Sequence, residues 1–383
     1  MKRFQVTAGY DPMVKIERSD RSSSTYLGDC PSDQRLRRSQ RRRTWLRRAV
    51  GVSLMVVVSS LTAFGFIGCA PQDDGTIRIA VIPKGTTHDF WRSVHAGALK
   101  AEREINGAGG PKIEVIWKGP EKEDDRALQI QVVQNFIAAR VKGVVLAPLD
   151  DTALLSPVKD CGRAGIPVAI IDSGLQGEVG KDFVSYIATD NYRGGVLGGK
   201  RLGEVLNGEG KAILLRYAEG SASTMERERG FLETLAKEFP KIELLSSDLY
   251  GGATTESSQQ KAQNLLTRFG DQVDGIFCPN ESTTLGMMNA LRDADLLGKV
   301  KFVGFDTSES LVGGVRSGNL QGLVLQNPLE MGYRGVMTMY DHLQGQPVVS
   351  QVDTGAVIVT GENMDDPKMK LLHSPDLAEW LGS

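Results

Sequence analysis

From Thr76 onward the chain alternates short β-branched runs with amphipathic stretches of 3.6-residue period, and this alternation restricts the fold more than any other feature. Strand candidates span 77–82, 113–117, 143–147, 168–172, 184–188, 212–216, 242–245, 275–278, 302–305 and 323–326. Helix candidates span 90–105, 126–140, 193–206, 225–239, 256–269, 282–294 and 329–343. The strand runs are apolar without clean alternation, as expected when both faces of a sheet are covered. Strands separated by helices imply βαβ crossovers and parallel sheets. About ten strands in about 300 residues exceed one comfortable core, so two doubly wound α/β domains are expected.

In such sheets ligands bind beyond the carboxyl ends of the strands. The first strand is followed by His88-Asp89-Phe90-Trp91, and the fourth ends in Asp172-Ser173. Arg227 lies near the start of the helix after the sixth, and Asn280 follows the strand ending in Cys278. Asp306 and Gln326 close the last two strands. Carboxylates, carboxamides and a guanidinium can pair with hydroxyl groups as acceptors and donors. Aromatic faces cover the apolar C–H patches of a sugar ring. Taken singly, each residue has an ordinary reading: an Asp at a strand end as a helix cap, Arg227 as part of a solvated charged face. Their convergence after successive strands favours a monosaccharide site.

Here the chain resembles the ribose-binding protein family, the periplasmic sugar-binding components of ABC transporters, from about Thr76 to Asn363. The resemblance rests on Phe90-Trp91, Ile166-Pro167-Val168 leading to Asp172, and Ile187-Ala188-Thr189-Asp190-Asn191. It continues in Arg227-Glu228-Arg229-Gly230, Asn280, Gly304-Phe305-Asp306 and Gln326. It implies two lobes joined by three crossovers, a type I periplasmic binding fold, with a sugar closed between them. The implied ligand contacts are His88, Phe90, Trp91, Asp172, Arg227, Asn280, Asp306 and Gln326, with Tyr250 as a looser match. His88 stands where ribose binders carry Asn, and Ser173 where they carry Arg, so a pentose or hexose other than ribose is expected. One lobe is expected to comprise 76–188 and 328–351, the other 189–327 and 352–383. Hinges are expected near Ala188-Thr189, Gln326-Asn327 and Val352-Thr354. The implied partners are a monosaccharide and the transmembrane subunits of an ABC permease, met by a monomer. A sensor feeding a membrane kinase or chemoreceptor would use the same binding domain.

Ahead of this region, residues 1–68 read as leader and signal. Arg42-Arg43-Thr44-Trp45-Leu46-Arg47 is a basic cluster, 49–68 is an uncharged apolar run, and Gly68-Cys69 ends it. The order resembles a bacterial lipoprotein signal, with Cys69 as the lipidated first residue and 69–75 as a tether. Arg42 and Arg43 resemble a twin-arginine export motif, although ordinary secretion also places positive charge before the apolar run. An apolar run of about 20 residues equally has the length of an uncleaved membrane span. Each route puts the binding domain outside the cytoplasmic membrane.

Composition excludes several alternatives. Residues 1–68 carry 13 basic and 5 acidic side chains, a net +8, so against −2 for the whole chain the remainder carries −10. An acidic domain is a poor partner for nucleic acid, and a regulator would need a DNA-reading helix module where the apolar run stands. Cys161 and Cys278 lack metal-ligand spacing and are expected as buried free thiols. Gly194-Gly195-Val196-Leu197-Gly198-Gly199-Lys200 has phosphate-loop spacing but continues with Arg201, where Ser or Thr would bind magnesium. It reads as the interior of a helix. With four histidines, no H-E-x-x-H motif, no G-x-S-x-G elbow and no calcium loop, neither an enzyme nor a bound metal or cofactor is expected.

Overall fold

The computed structural model describes residues 75–382. Arg42-Arg43, the apolar run and Cys69 lie outside the described residues, so the export and lipidation expectations are not addressed by the fold. Five strands build most of the first sheet: β1 (Ile77–Ile82), β2 (Ile113–Trp117), β3 (Gly143–Leu146), β4 (Val168–Ile171) and β5 (Ser185–Ala188). Helices α1 (Asp89–Gly107), α2 (Arg126–Ala138) and α3 (Leu155–Arg163) connect them. Adjacent residues of β1 enter different cores: Ile79 and Val81 pack on one face of the sheet, Ala80 and Ile82 on the other. This two-sided burial is what the unbroken apolar runs predicted.

After β5 the chain enters a second sheet. Its elements are α4 (Asn191–Val205), β6 (Glu209–Leu214), α5 (Ala222–Glu238), β7 (Lys241–Ser246), α6 (Thr255–Phe269) and β8 (Gly275–Phe277). They continue through α7 (Glu281–Asp293), β9 (Lys301–Phe305), α8 (Glu309–Arg316) and β10 (Gly322–Leu325). Then α9 (Pro328–Leu343) returns to the first lobe, where β11 (Gln351–Asp353) pairs in parallel with β5. Finally β12 (Val357–Val359) pairs antiparallel with β10 and is followed by α10 (Pro367–His373) and α11 (Ala378–Leu381). The sheet orders are β11-β5-β4-β3-β1-β2 and β12-β10-β9-β8-β6-β7. One strand order is thus used twice, differing in the direction of the edge strand, and β4 occupies in the first lobe the place that β9 occupies in the second. Val352 and Asp353, expected with the second lobe, belong to the first sheet.

Glycines set the helix pairs of each lobe. A β-carbon on Gly97 of α1 would lie 1.9 Å from the Leu329 carbonyl oxygen of α9, and one on Gly332 1.9 Å from that of Val94. In the second lobe, Gly195 of α4 and Gly230 of α5 would meet the carbonyl oxygens of Arg227 and Tyr192 at 1.9 and 2.2 Å. The glycine run of 194–199 is therefore a packing surface inside α4, not a phosphate loop. Cys161 and Cys278 are buried and free. No described helix is long and apolar enough to cross a membrane.

Candidate functional site

The carboxyl ends of both sheets face each other across a cleft, and the polar residues gather there. Asp172 follows β4 and Asp306 follows β9, the topologically equivalent positions. Both are in the left-handed region, with φ of 61° and 65°. Such a backbone costs on the order of 1–3 kcal/mol for a residue other than glycine and persists only where its surroundings enforce it. Neither is a helix N-cap, because Asp172 leads into β5 and the helix after Asp306 is capped by Ser308.

Each lobe neutralises its own buried charges. In the first, Lys84 Nζ lies 2.9 Å from Asp172 Oδ2, and His88 Nδ1 lies 2.9 Å from Glu123 Oε1. Trp91 Nε1 donates to the same Glu123 oxygen at 2.5 Å. Gly85 permits this approach, since a β-carbon there would lie 2.8 Å from Glu123 Cγ. The Phe90 ring stands edge-on to Trp91, centroids 4.9 Å apart. In the second lobe, Arg227 Nε donates to Asn191 Oδ1 at 2.8 Å and Nη1 to the Pro279 carbonyl at 3.0 Å. Its guanidinium lies 4.1 Å from the Phe305 ring centroid and 3.9 Å from Asp306 Oδ2. Asp306 also accepts from the Glu281 backbone N–H at 3.0 Å and from Gln326 Nε2 at 2.6 Å. That last bond fixes the amide orientation and leaves Gln326 Oε1 buried without a hydrogen-bond partner.

Contacts across the cleft are single hydrogen bonds rather than ion pairs. Glu281 accepts from the backbone N–H groups of Asp89 and Phe90 at 3.3 and 3.2 Å, reaching from α7 to the first turn of α1. It thereby caps a helix whose own N-cap residue, His88, makes no side-chain capping bond. Lys84 Nζ donates to Ser223 Oγ at 3.2 Å, the Ser223 N–H donates to Ser173 Oγ at 3.1 Å, and the Tyr217 hydroxyl donates to Glu123. The lobes are shut, and the central cavity bounded by these residues encloses about 30 Å³. At about 10–15 Å³ per water that is room for about two waters.

Burial and charge shift the titration of the group. Burial alone would lower the His88 pKa, but the bond to Glu123 and the charges of Glu123, Glu281 and Asp306 push it up to about 9. For Glu123, burial raises the pKa, and His88, Lys84 and Tyr217 together overcome it and hold the carboxyl at about 2. Glu281 is pushed up to about 8 by burial, with His88 opposing and Asp306 assisting. Asp306 is raised by burial against the charge of Arg227. Lys84, His88 and Arg227 thus lie against Asp172, Glu123 and Asp306 respectively, while Glu281 has no cation within salt-bridge distance among the described residues.

Of the residues expected from sequence, His88, Phe90, Trp91, Asp172, Arg227, Asn280, Asp306 and Gln326 line the central cavity. Asn280 also caps α7, its Oδ1 accepting from the Thr283 N–H at 3.3 Å. Ser173 does not line the cavity, since its hydroxyl is engaged by Ser223. Tyr250 stands outside as well: its ring lies 4.7 Å from the Arg216 guanidinium, which Glu228 holds in place at 2.6 Å. Sequence reasoning passed over Lys84, Glu123, Tyr217, Ser223, Thr224 and Glu281. Lys84 and Tyr217 lie just beyond strands β1 and β6, where the strand-end rule would have found them. Glu123 sits in a loop remote from its partners in sequence and gave no signal.

Comparison with known proteins agrees with this geometry. The periplasmic binding protein domain matches residues 79–347. The ribose import binding protein of Escherichia coli is 30% identical over 278 residues, covering 70% of this chain and 86% of that protein. A carbohydrate transporter solute-binding protein from Agrobacterium radiobacter, solved with D-arabinose, superposes with a TM-score of 0.73 at 30% identity, covering 78% of this chain and 99% of that one. An ABC transporter solute-binding protein from Agrobacterium vitis with bound D-fucose gives 0.73 at 32% identity, covering 77% and 99%. The fold and the cleft define an extracytoplasmic solute-binding protein. The chain belongs to the ribose-binding-protein-like family of periplasmic sugar-binding proteins, which serve ABC transporters.

Proposed function

We propose that the central cavity captures one neutral monosaccharide, a pentose or hexose other than ribose, and that closure on it presents the protein to an ABC permease. The observation that carries this reading is that three buried ion pairs at the cavity, Lys84 with Asp172, His88 with Glu123 and Arg227 with Asp306, each form within one lobe. Opening leaves these three pairs intact, and cations already held by carboxylates are poor partners for an anionic solute. What remains for a ligand is a set of fixed dipoles and hydroxyl-directed oxygens, chiefly Gln326 Oε1, beside the Phe90 and Trp91 rings. The volume of about 30 Å³ is too small for a sugar ring, so loading must widen the cleft relative to the shut state. A sugar touching both lobes supplies the differential affinity that shifts the open–closed equilibrium.

Lobes of 76–188 with 328–353 and of 189–327 with most of the remaining chain would rotate about the crossings near Ala188-Thr189, Gln326-Asn327 and Val352-Thr354. The protein would act as a monomer tethered by lipid on Cys69, exported through the signal that contains Arg42 and Arg43. A thermal-shift screen of the full chain against pentoses, hexoses, amino acids and sugar phosphates tests the ligand class. A neutral sugar should stabilise the fold, by about 2.7 kcal/mol at a hundredfold excess over Kd. Stabilisation by an amino acid or a sugar phosphate alone would overturn the assignment. Mass spectrometry of membrane-extracted protein should find a diacylglyceryl adduct on a peptide beginning at Cys69, and an intact peptide crossing that position would remove the lipid anchor.

A further inference from the structure

Beside the central cavity lies a second one of about 470 Å³, and Phe90, Asp306 and Gln326 line both. Its floor is formed by the start of α1, by α8 and by the crossing from β10 to α9. Its outer wall is the C-terminal segment, with His373, Ser374, Pro375 and Leu377. That segment straps the lobes together. Thr307 Oγ1 of the second lobe donates to the His373 carbonyl at 3.2 Å, while Arg103 of α1 donates to the carbonyls of Glu379 and Trp380 at 2.6 and 2.8 Å. The Arg103 guanidinium also lies 5.3 Å from the Trp380 ring centroid. The cavity is thus a space with three built walls, and exposed Gly313, Arg316 and Ser374 mark where it meets solvent.

We infer that this cavity receives an O-linked substituent carried by the sugar in the central site, so that the receptor takes glycosides as well as free monosaccharides. The inference rests on the sugar-receptor reading above. A volume of about 470 Å³ lies in the ordinary range for small-ligand pockets, whereas the central cavity has no spare room. The walls mix the apolar surfaces of Val312, Leu325 and Pro328 with the charged side chains of Asp89, Glu309 and Arg316 and with Ser93 and Thr307 hydroxyls that keep lone pairs to accept with. Such a wall accepts both the C–H patches and the hydroxyl edges of a second ring. Gln326 is the connecting residue, because it lines both spaces, is 4% exposed and keeps an unpartnered carbonyl oxygen. A sugar hydroxyl satisfying that oxygen sits at the partition, with its neighbouring oxygen free to carry a substituent outward.

Gly313 provides the test. Gly313 lines the cavity and a β-carbon there meets no atom within 4 Å, so a larger residue is tolerated at this position without a clash at its β-carbon. The full chain is titrated by calorimetry with D-arabinose, D-fucose, D-galactose, D-glucose, D-xylose and D-ribose, with their phenyl α- and β-glycosides, and with lactose and maltose. At least one glycoside or disaccharide should bind within about tenfold of its parent sugar. Gly313→Trp should then weaken that ligand by about tenfold or more while the parent sugar changes by less than about twofold. Ser374→Phe, on the exposed strap, gives a second filling position with the same expected split. Tight binding of free sugars with every substituted form more than about tenfold weaker overturns the inference and leaves the receptor assignment intact. So does an equal effect of the filling variants on both ligand types. Failure of all these sugars and glycosides to bind would sink the sugar assignment itself.

Discussion

Lys84 Nζ sits 2.9 Å from Asp172 Oδ2, and both side chains are almost fully buried on the wall of the central cavity. The pair explains how the site manages with Ser173 where a long guanidinium was looked for. The cation comes from the end of β1 instead of the end of β4, and Ser173 is left to hold the opposite lobe through Ser223. Removing Lys84 strands a desolvated carboxylate. Lys84→Ala should therefore weaken binding of the cognate sugar by about 2–5 kcal/mol, or tens to thousands of fold. Calorimetry with that sugar is the measurement, and wild-type affinity in Lys84→Ala would remove the ion pair from any role in binding. Asp172→Ala, Arg227→Ala and Asp306→Ala should show losses of the same order, because each also leaves a buried group without its partner.

Glu281 acts as a latch in the shut state. Each of its two bonds to the backbone of α1 contributes about 0.5–1.5 kcal/mol, and both exist only when the lobes meet. Glu281→Ala should shift the sugar-free protein toward open forms, visible in solution scattering as a larger radius of gyration that sugar reverses. An unchanged sugar-free radius would show that the latch contributes nothing to closure.

The pH dependence follows from three groups with opposite consequences. His88 keeps its proton up to about 9 in the folded protein against an ordinary 6.5, so folding takes up a proton between those values. Its stabilisation is fully present below about 6.5 and is lost as pH rises through about 9. Glu281, raised from 4.5 to about 8, has the same sign: its contribution is present at low pH and drains as pH rises through about 8. Glu123, held at about 2, contributes above 4.5 and is lost as pH falls through about 2. Thermal unfolding should therefore be most resistant between the two losses, with Tm falling from mildly acidic toward alkaline pH and again in strong acid. His88→Gln should flatten the alkaline limb, and an undiminished alkaline slope in that variant would assign it to other groups.

The glycine contacts between helices make a sharper folding prediction. Gly195→Val places a side chain where the Arg227 carbonyl already lies, at the residue that positions the guanidinium in the cleft. The variant should fold poorly or unfold at much lower temperature, with overpacking costing about 1–3 kcal/mol or more. Nucleotide binding should be absent from the wild type, as measured by calorimetry with magnesium and ATP. A Gly195→Val variant with wild-type Tm would show that α4 and α5 can separate without cost.

The parts of this protein legible in its sequence are those with local signatures. Each long helix and each of the ten strands of the βαβ units announced itself by period and β-branching, and their ends located Asp172, Arg227, Asp306 and Gln326. Strands β11 and β12, at three residues each, are too short to show a period, and α3 and α8 are little longer than two turns. Glu123 and Glu281 were hidden for another reason. Their partners lie 35 and about 190 residues away in sequence, so only the closed tertiary structure reveals that His88 is paired and α1 is capped. Tyr250 shows the converse: a strand-end aromatic can be captured by a neighbouring Arg216 and never reach the cleft.

Ribose should not be the best ligand. Ser173 offers one short hydroxyl, and the Ser223 backbone N–H already engages it, so it provides no donor fork to the cavity. His88 places a charged ring against Glu123 where ribose binders carry a flat amide, and its Nδ1 proton is directed into the first lobe. Among the donors, Lys84, Arg227 and the amide of Asn280 already have protein partners, while the charged His88 ring carries a second N–H at Nε2. The Gln326 carbonyl is a buried acceptor without a partner. A ligand that presents a hydroxyl to Gln326 is therefore favoured over one that relies on a guanidinium beside Asp172. Selective sites can reject a sugar lacking the matching hydroxyl by a factor of about 10⁴. Gln326→Leu, which removes the unpartnered oxygen and the bond to Asp306 together, should lower affinity for the preferred sugar far more than for ribose. In a competition assay on the wild type, ribose should be displaced by another pentose or hexose. Were ribose to outcompete every other monosaccharide, the argument from Ser173 and His88 would fail, although a sugar receptor would remain.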